Sequence, residues 1–397
     1  MTGLRFLTAG ESHGPSLTGI LEGMPAGLRL DDAVLARELA RRQQGFGAGG
    51  RMKIERDHAR ITAGVMAGAT TGGPIALSID NLDHIAWARR DVPPMTVPRP
   101  GHADLTAAVK YGYRDLRLSL ERASARETAM RVAIGAVCRA LLGEFGVEIG
   151  GYVTSIGTVS VPAGETPRDP AAFAARFLQA ESSEVRCHDE QVATRMHDAI
   201  AAAITARDTL GGVVEVAALH VPPGLGSHAH WDRRLNARLA AAVMSIPAVK
   251  GVEIGDGFAE AARPGTAAHD ELYLDGAVIT TRTNRAGGIE GGISNGAPIV
   301  VRAACKPISS TLQPLTSVDL ATGKPSPTNY ERSDFCQVPR AVPIAEAVVA
   351  IVLADALLEK LGGDSIAEMR PRFERLRGLR LEDLPMDHTP WRFGYKP

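Results

Sequence analysis

The sequence of 397 residues predicts an α+β protein with strands and helices interleaved in one domain spanning 1–397. Three observations carry this. Hydrophobic residues make up 45% and charged residues 22%, an ordinary globular profile in a chain long enough to bury a large core. Two helical stretches, 121–145 and 343–361, are too apolar to lie on a surface. No break in composition marks a linker, and no fixed period marks a repeat.

The elements follow in order. Segments 4–9 and 17–21 read as strands flanking the turn Gly10-Glu11-Ser12-His13-Gly14. Asp31 or Asp32 caps a helix running to about Gln44, with Val34, Leu35 and Leu39 on one face. Residues 45–51 are too rich in glycine for helix or strand and form a mobile loop. Strand-like pieces near 53–56, 60–65 and 74–79 lead into a long loop over 83–100. The helix over 121–145 ends at Gly146 and carries two apolar stripes, one through Ala129, Ala133, Val137 and Leu141. Strands at 148–160 and 213–221 bracket a helix over 189–208; another helix spans 231–244. Strands near 250–255, 273–281 and 298–304 precede the helix 343–361, which Gly362-Gly363 stops. An amphipathic helix covers 365–377, and the tail from about 380 is extended.

Charge narrows the function. The 44 basic and 45 acidic residues leave a net charge of −1, unlike a dedicated nucleic-acid binder. The cysteines at 138, 187, 305 and 336 form no CxxC pair, so neither a zinc site nor a disulfide framework is expected; a reducing cytoplasm fits them. No acidic cluster calls for a divalent metal. No apolar run is expected to be long enough to span a membrane, and the 351–358 stretch, which contains Asp355, is read as a core helix.

Five stretches carry chemistry. Arg99-Pro100-Gly101-His102-Ala103-Asp104 holds His102 on a rigid turn between a cation and a carboxylate, a setting for proton transfer. A loop histidine touching solvent is the plainer alternative. In Gly10–Gly14, Ser12 and His13 are adjacent, so their side chains diverge and His13 reads as an acid aimed at a ligand. Glu121–Thr128 opens the apolar helix and reads as an anion site, with donors on Arg122, Ser124 and Arg126; a capped, salt-bridged helix start is the alternative. Arg332–Arg340 places Asp334 before another apolar helix, as an acceptor near the interior. The glycine pairs of 287–296 read as a loop approaching something flat or anionic, with Lys306–Ser310 one strand later. Arginines crowd these motifs, which points to a small polyanionic ligand.

The ordered set of motifs resembles the chorismate synthase family. The matching pieces are Gly10–Gly14, Arg41-Arg42 with Arg51-Met52, Arg99–Asp104, Lys110-Tyr111-Gly112, Arg122–Thr128, Lys250–Gly257, Gly287–Gly296, Lys306–Ser310 and Arg332–Arg340. The resemblance implies a single-domain β-α-β sandwich, helices packed between antiparallel sheets, assembled as a homotetramer. It implies a lyase requiring reduced FMN that eliminates phosphate from 5-enolpyruvylshikimate 3-phosphate to give chorismate, with no nucleic-acid or membrane partner. By the same resemblance, His13 protonates the departing phosphate, His102 the reduced flavin, and Asp334 lies where the substrate proton is taken. Ser12 and Ser124 assist proton relay. Arg122, Ala123, Ser124, Pro247, Ala248, Gly291, Lys306, Pro307, Ile308, Ser309, Ser310 and Arg332 match flavin positions, and Arg42, Arg51 and Arg340 match substrate or NADP positions. The family loop often reads Gly-Tyr-Gly-Arg-Gly; here Ala48 replaces the arginine, a lost contact on the order of 1.5–3 kcal/mol. Two alternatives accompany this reading: a bifunctional form that also reduces FMN with NADPH, and a flavin-binding relative without catalysis.

Overall fold

The structure, a computed structural model, describes residues 3–49, 56–162, 164, 166–331 and 333–394. Its first sheet has strands β1 (Arg5–Ala9), β2 (Ser16–Glu22), β3 (Ala59–Ala63) and β4 (Ile75–Asp80), all paired antiparallel in the order β1-β2-β4-β3. The second has β5 (Glu148–Ile156), β6 (Gly212–Leu219), β7 (Val249–Ile254) and β8 (Ile299–Cys305), antiparallel in the order β7-β8-β6-β5, with Val159–Ser160 as a short edge.

Helix α1 covers Asp32–Gln43, capped by the Asp31 carboxylate on Ala33 N. Three short helices follow: α2 (His84–Trp87), α3 (Asp104–Tyr111) and α4 (Arg117–Ala123). Then come α5 (Thr128–Gly143), α6 (Pro170–Glu181), α7 (Glu190–Thr205), α8 (Leu235–Met244), α9 (Val338–Leu361) and α10 (Ile366–Glu374). Helices α5 and α9 pair along their length: α5 also lies on β2 and β4, and α9 on β5 and β6. The result is the sandwich of helices between antiparallel sheets that the family resemblance implied.

Alternation explains the first sheet. In β2 and β4, Leu17, Leu21, Ile75, Leu77 and Ile79 are fully buried towards the helices. Gly19 is required there, since a Cβ would sit 2.5 Å from the Met130 sulfur. Strands β5 and β6 are buried on both faces, because α6 covers the side away from α9 with Phe173 and Phe177. Gly135 lets α5 and α9 meet closely: a Cβ there would be 2.6 Å from the Ala347 Cα.

Helix α9 is long and apolar enough to cross a membrane, with mean hydropathy 2.2, yet 89% of that window is buried in the protein. This corrects the expectation that no run is long enough; the expectation of a core helix holds. The helix also starts earlier than 343. Pro339 occupies its first turn, and Pro343 sits inside it without the N–H that would reach the carbonyl four residues back. At its buried centre, Glu346 accepts from Arg41 at 2.5 and 2.9 Å and from Arg139 at 2.7 Å. Burial works to raise this carboxyl, but the arginines outweigh it and hold it below the usual carboxylate range.

Other expectations are corrected. The stretch 121–145 is not one helix: it breaks at Ser124, whose hydroxyl caps a 3₁₀ turn over Ala125–Glu127 before α5 begins. The stretch 273–281 is a hairpin, Leu272–Asp275 with Val278–Thr281, turning at Gly276. Helices α3 and α6 were not anticipated. Most of the strand expected near 53–56 lies outside the described residues.

Candidate functional site

The starts of α3, α5 and α9 converge with the β1–β2 turn on one cavity of about 380 Å³, within the size range of small-molecule sites. His13 stands on that turn, which Gly10 makes possible at φ +113. Asn81 ties the turn down, donating from Nδ2 to the carbonyls of Glu11 at 3.1 Å and Gly14 at 2.8 Å. His84 Nδ1 lies 2.8 Å from the His13 carbonyl oxygen, and the Trp87 ring is centred 4.3 Å from the His13 ring. Glu121 of α4 accepts from His13 N and bonds His13 Nδ1, both at 2.7 Å. Burial pushes the Glu121 carboxyl up, but these bonds more than offset it and leave it lowered. With Nδ1 occupied, Nε2 is the free ring nitrogen, 4.0 Å from Asp83 Oδ2.

His102 sits on the turn that Gly101 allows at φ +76. Its Nδ1 is 2.5 Å from Asp104 Oδ1 and 3.0 Å from Arg99 Nη2. The carboxylate can only accept, so Nδ1 carries the proton, and Arg99 Nη2 serves Asp104 Oδ1 at 3.0 Å instead. Asp104, fully buried, also accepts from Arg99 N and Nε at 3.1 and 2.8 Å. Burial alone would raise its carboxyl; the bonds from His102 and Arg99 drive it far below the usual range. Both flanking charges read from the sequence are thus in contact with the imidazole. Arg99 reaches on to Ser310 Oγ at 3.0 Å, and the Lys306 ammonium donates to the Gly101 carbonyl. Burial, with Lys250 nearby, lowers the Lys306 pKa.

Asp334 accepts from Gly49 N at 2.8 Å and from Arg340 Nη1. Arg340 Nε donates to the Arg42 carbonyl at 3.0 Å. The glycine loop is packed here rather than free: Gly47 O accepts from Phe335 N at 2.9 Å, and a Cβ on Gly49 would lie 2.4 Å from the Ser333 carbonyl. Arg42 donates to Thr128 Oγ1 at 3.0 and 3.1 Å and to Asp57 Oδ2 at 3.1 Å. Arg126 binds the other oxygen of Asp57, and Asn81 Oδ1 at 2.8 Å. Burial, then the neighbouring cations Arg340 and Arg126, bring the Arg42 pKa down to about 9. An anion entering this cluster relieves that repulsion.

The structure brings Ser12, His13, Arg42, His102, Ala123, Ser124, Pro247, Ala248, Lys306, Ile308, Ser309, Ser310, Asp334 and Arg340 to the cavity wall. It does not bring Arg122, Pro307 or Gly291 there. Arg122 donates to the carbonyl of Thr8 at 2.9 Å, beneath the His13 turn. Gly287 and Gly288 serve the chain itself, as a Cβ on Gly287 would lie 2.4 Å from the Gly255 Cα and one on Gly288 2.5 Å from the Pro298 carbonyl. Arg51 and Arg332 lie outside the described residues. Among the described residues no cluster of His, Cys, Asp and Glu could hold a metal.

The family model described as chorismate synthase matches residues 4–358. This chain belongs to the chorismate synthase family. The chorismate synthase of Geobacter sulfurreducens is 51% identical over 395 residues, covering 94% of this chain and 98% of that one. That of Aquifex aeolicus is 51% identical over 391 residues, covering 94% and 96%. A solved structure described as a crystal structure of chorismate synthase superposes with TM-score 0.79 at 45% identity, covering 94% of this chain and 97% of that one. Chorismate synthases are carbon–oxygen lyases, and this chain is such an enzyme.

Several wall or support residues of this chorismate synthase family member were missed from the sequence. Asp57 and Trp87 carried no local signal, and Glu121 was read only as part of a helix start. Gln337 also lines the cavity, and its Nε2 is buried with no protein partner.

Proposed function

We propose that this enzyme eliminates phosphate from 5-enolpyruvylshikimate 3-phosphate to give chorismate, with reduced FMN bound in the same cavity. The observation that carries the reading is two histidines, each with Nδ1 on a carboxylate, in a cavity whose wall includes Arg42, Arg99, Arg126, Arg340 and Lys306. A substrate with two carboxylates and a phosphate, plus a phosphorylated cofactor, calls for that much positive charge.

The residues fit the cofactor. Gln337 Nε2 is a buried donor with no protein acceptor, and Ala123, Pro247, Ala248 and Ile308 offer an apolar wall to a flat ring. Ser124, Lys306, Ser309 and Ser310 would hold its polar groups. Reduced FMN, when bound, supplies the electron density that assists the difficult elimination and regains it, so there is no net redox change.

The protein's own part is orientation and proton traffic. A ring C–O bond to phosphate breaks, a ring C–H bond gives up its proton, and the C–H pair completes the new diene. With Nδ1–H kept on Glu121, His13 Nε2 is the nitrogen that takes up a proton and passes it to the departing phosphate. With Nδ1–H kept on Asp104, His102 Nε2 does the same for the reduced flavin, and Asp334 is the carboxylate that receives the substrate proton. Ser12 and Ser124 stand within the wall as relay hydroxyls. Buried arginines, Arg42, Arg99, Arg126 and Arg340, make these charges act at short range.

The same reading includes a cytoplasmic homotetramer. Four unpaired, buried cysteines support the compartment. Leu7 and Ile20, 70% and 45% exposed on the outer sheet, support a covered face. The deciding experiment is anaerobic incubation with dithionite-reduced FMN and 5-enolpyruvylshikimate 3-phosphate. Chorismate is the expected product, and its absence overturns the proposal.

A further inference from the structure

We propose that Glu121 is the positioning residue of His13, fixing its imidazole as the Nδ1–H tautomer so that Nε2 is the nitrogen offered to the cavity. The inference rests on the functional reading above and deepens it. Glu121 makes three separate contacts with two successive residues. Its Oε1 bonds His13 Nδ1 and its Oε2 accepts from His13 N, each at 2.7 Å, while its carbonyl accepts from Ser12 N at 3.0 Å. One residue of α4 therefore sets the position of the turn, the ring plane and the tautomer together. An ionised carboxylate has no proton to give, so a ring nitrogen 2.7 Å away must be the donor.

The molecule holds an internal parallel. Asp104 bonds His102 at the same ring atom, Nδ1. Two histidines with unrelated backbone settings thus arrive at one arrangement, with Nδ1 spent on a carboxylate. The other groups around His13 do not compete for Nδ1. Trp87 covers the ring face, His84 takes the backbone carbonyl, and Asp83 faces Nε2 at 4.0 Å. Arg117 stands over Trp87, 5.8 Å from the ring centroid, and lends charge to Glu121.

Glu121→Gln tests this with little change in shape. The amide has one acceptor oxygen for two donors, so either the backbone N–H or Nδ1–H loses its partner, or the amide N–H donates to Nδ1 and forces the Nε2–H form. In the ligand-free protein, ¹⁵N shifts of labelled histidines at pH 8 should report Nδ1–H at His13 in the wild type and a loss of that form in E121Q. In the anaerobic assay kcat should fall roughly 10–100-fold with KM within about threefold, as for carboxylates behind other functional histidines. Glu121→Asp, which keeps the charge, should recover part of kcat. A wild-type His13 in the Nε2–H form overturns the proposal, and so does an E121Q enzyme with kcat within twofold of wild type. If the wild type makes no chorismate, the functional reading falls, while the tautomer measurement still decides Glu121 by itself.

Discussion

His13 and His102 both spend Nδ1 on a carboxylate, but the partners come from different distances. Glu121 is 108 residues away from His13, delivered by α4 against the β1–β2 turn. Asp104 is two residues from His102, on the first turn of α3. The local pair also has its own cation, since Arg99 bonds Asp104 through three nitrogens. The distant pair has no such bond from an arginine among the contacts described; its second contact is the His13 backbone. One site is a self-contained hexapeptide device. The other exists only when the sheet and α4 have been assembled.

The difference can be broken or sharpened at four levels. The largest effect is on folding. Asp104→Ala leaves the Arg99 guanidinium buried without its carboxylate and should cost about 3–5 kcal/mol in urea unfolding. Glu121→Ala removes a carboxylate whose hydrogen bonds go to His13 and should cost about 1.5–3 kcal/mol. Equal costs would mean that Arg99 adds nothing to the local pair.

Next comes turnover. His13→Ala and His102→Ala should each lower kcat roughly 10²-fold or more in the anaerobic assay, if each moves a proton. A rate unchanged in either variant removes that histidine from the chemistry.

Acid should expose the third contrast. The folded carboxyls of Asp104 and Glu121 lie below their ordinary values, so each stabilises the fold above about pH 4 and loses that contribution as pH falls through its folded pKa. Asp104→Asn cannot gain that proton. The stability gap between wild type and D104N, measured from pH 6 down to pH 2.5, should therefore narrow. A gap that widens in acid contradicts the sign.

The smallest effect belongs to Lys306, which braces only the His102 side through the Gly101 carbonyl. Lys306→Met should lose about 1 kcal/mol of that support, seen as a several-fold rise in KM with His13 shifts unchanged in NMR.

The same contrast explains what was legible in the sequence. The charges flanking His102 in Arg99–Asp104 could be read because all three residues lie within six positions; the Arg99–Asp104 pair itself, with Asp104 on the unanticipated helix α3, could not. Strand β2, whose alternation is local, and the capped helix α1 could also be read. The Glu121–His13 and Arg42–Asp57–Arg126 arrangements could not, since each joins residues from separate elements and no short window contains them. The break at Ser124 was hidden because the apolar stripe continues past it; the cap outweighs periodicity there. Helix α6 begins at an Asp169-Pro170 start signal that went unread. Gly287 and Gly288 signalled close approach, but to Gly255 and Pro298 of the same chain. Family resemblance supplied the expected roles of Asp334 and the flavin wall, which composition and spacing alone left open.

Helix α9 has a consequence for biosynthesis. Its neighbours α1, α5, β5 and β6 all precede it in the chain, so a ribosome releases the slot well before the segment that fills it. Until residue 361 has emerged, Arg41 and Arg139 have no Glu346, and the inner faces of α5 and β6 have no cover. When α9 does emerge it is a 24-residue apolar rod in which Glu346 is the acidic group fully buried in the folded protein, attractive to a chaperone or a lipid surface alike. Its two native arginine partners are what make the protein interior the better destination for that acid. The nascent enzyme is thus vulnerable until α9 has emerged, and a stalled chain ending before 338 exposes an empty groove with cations at its base.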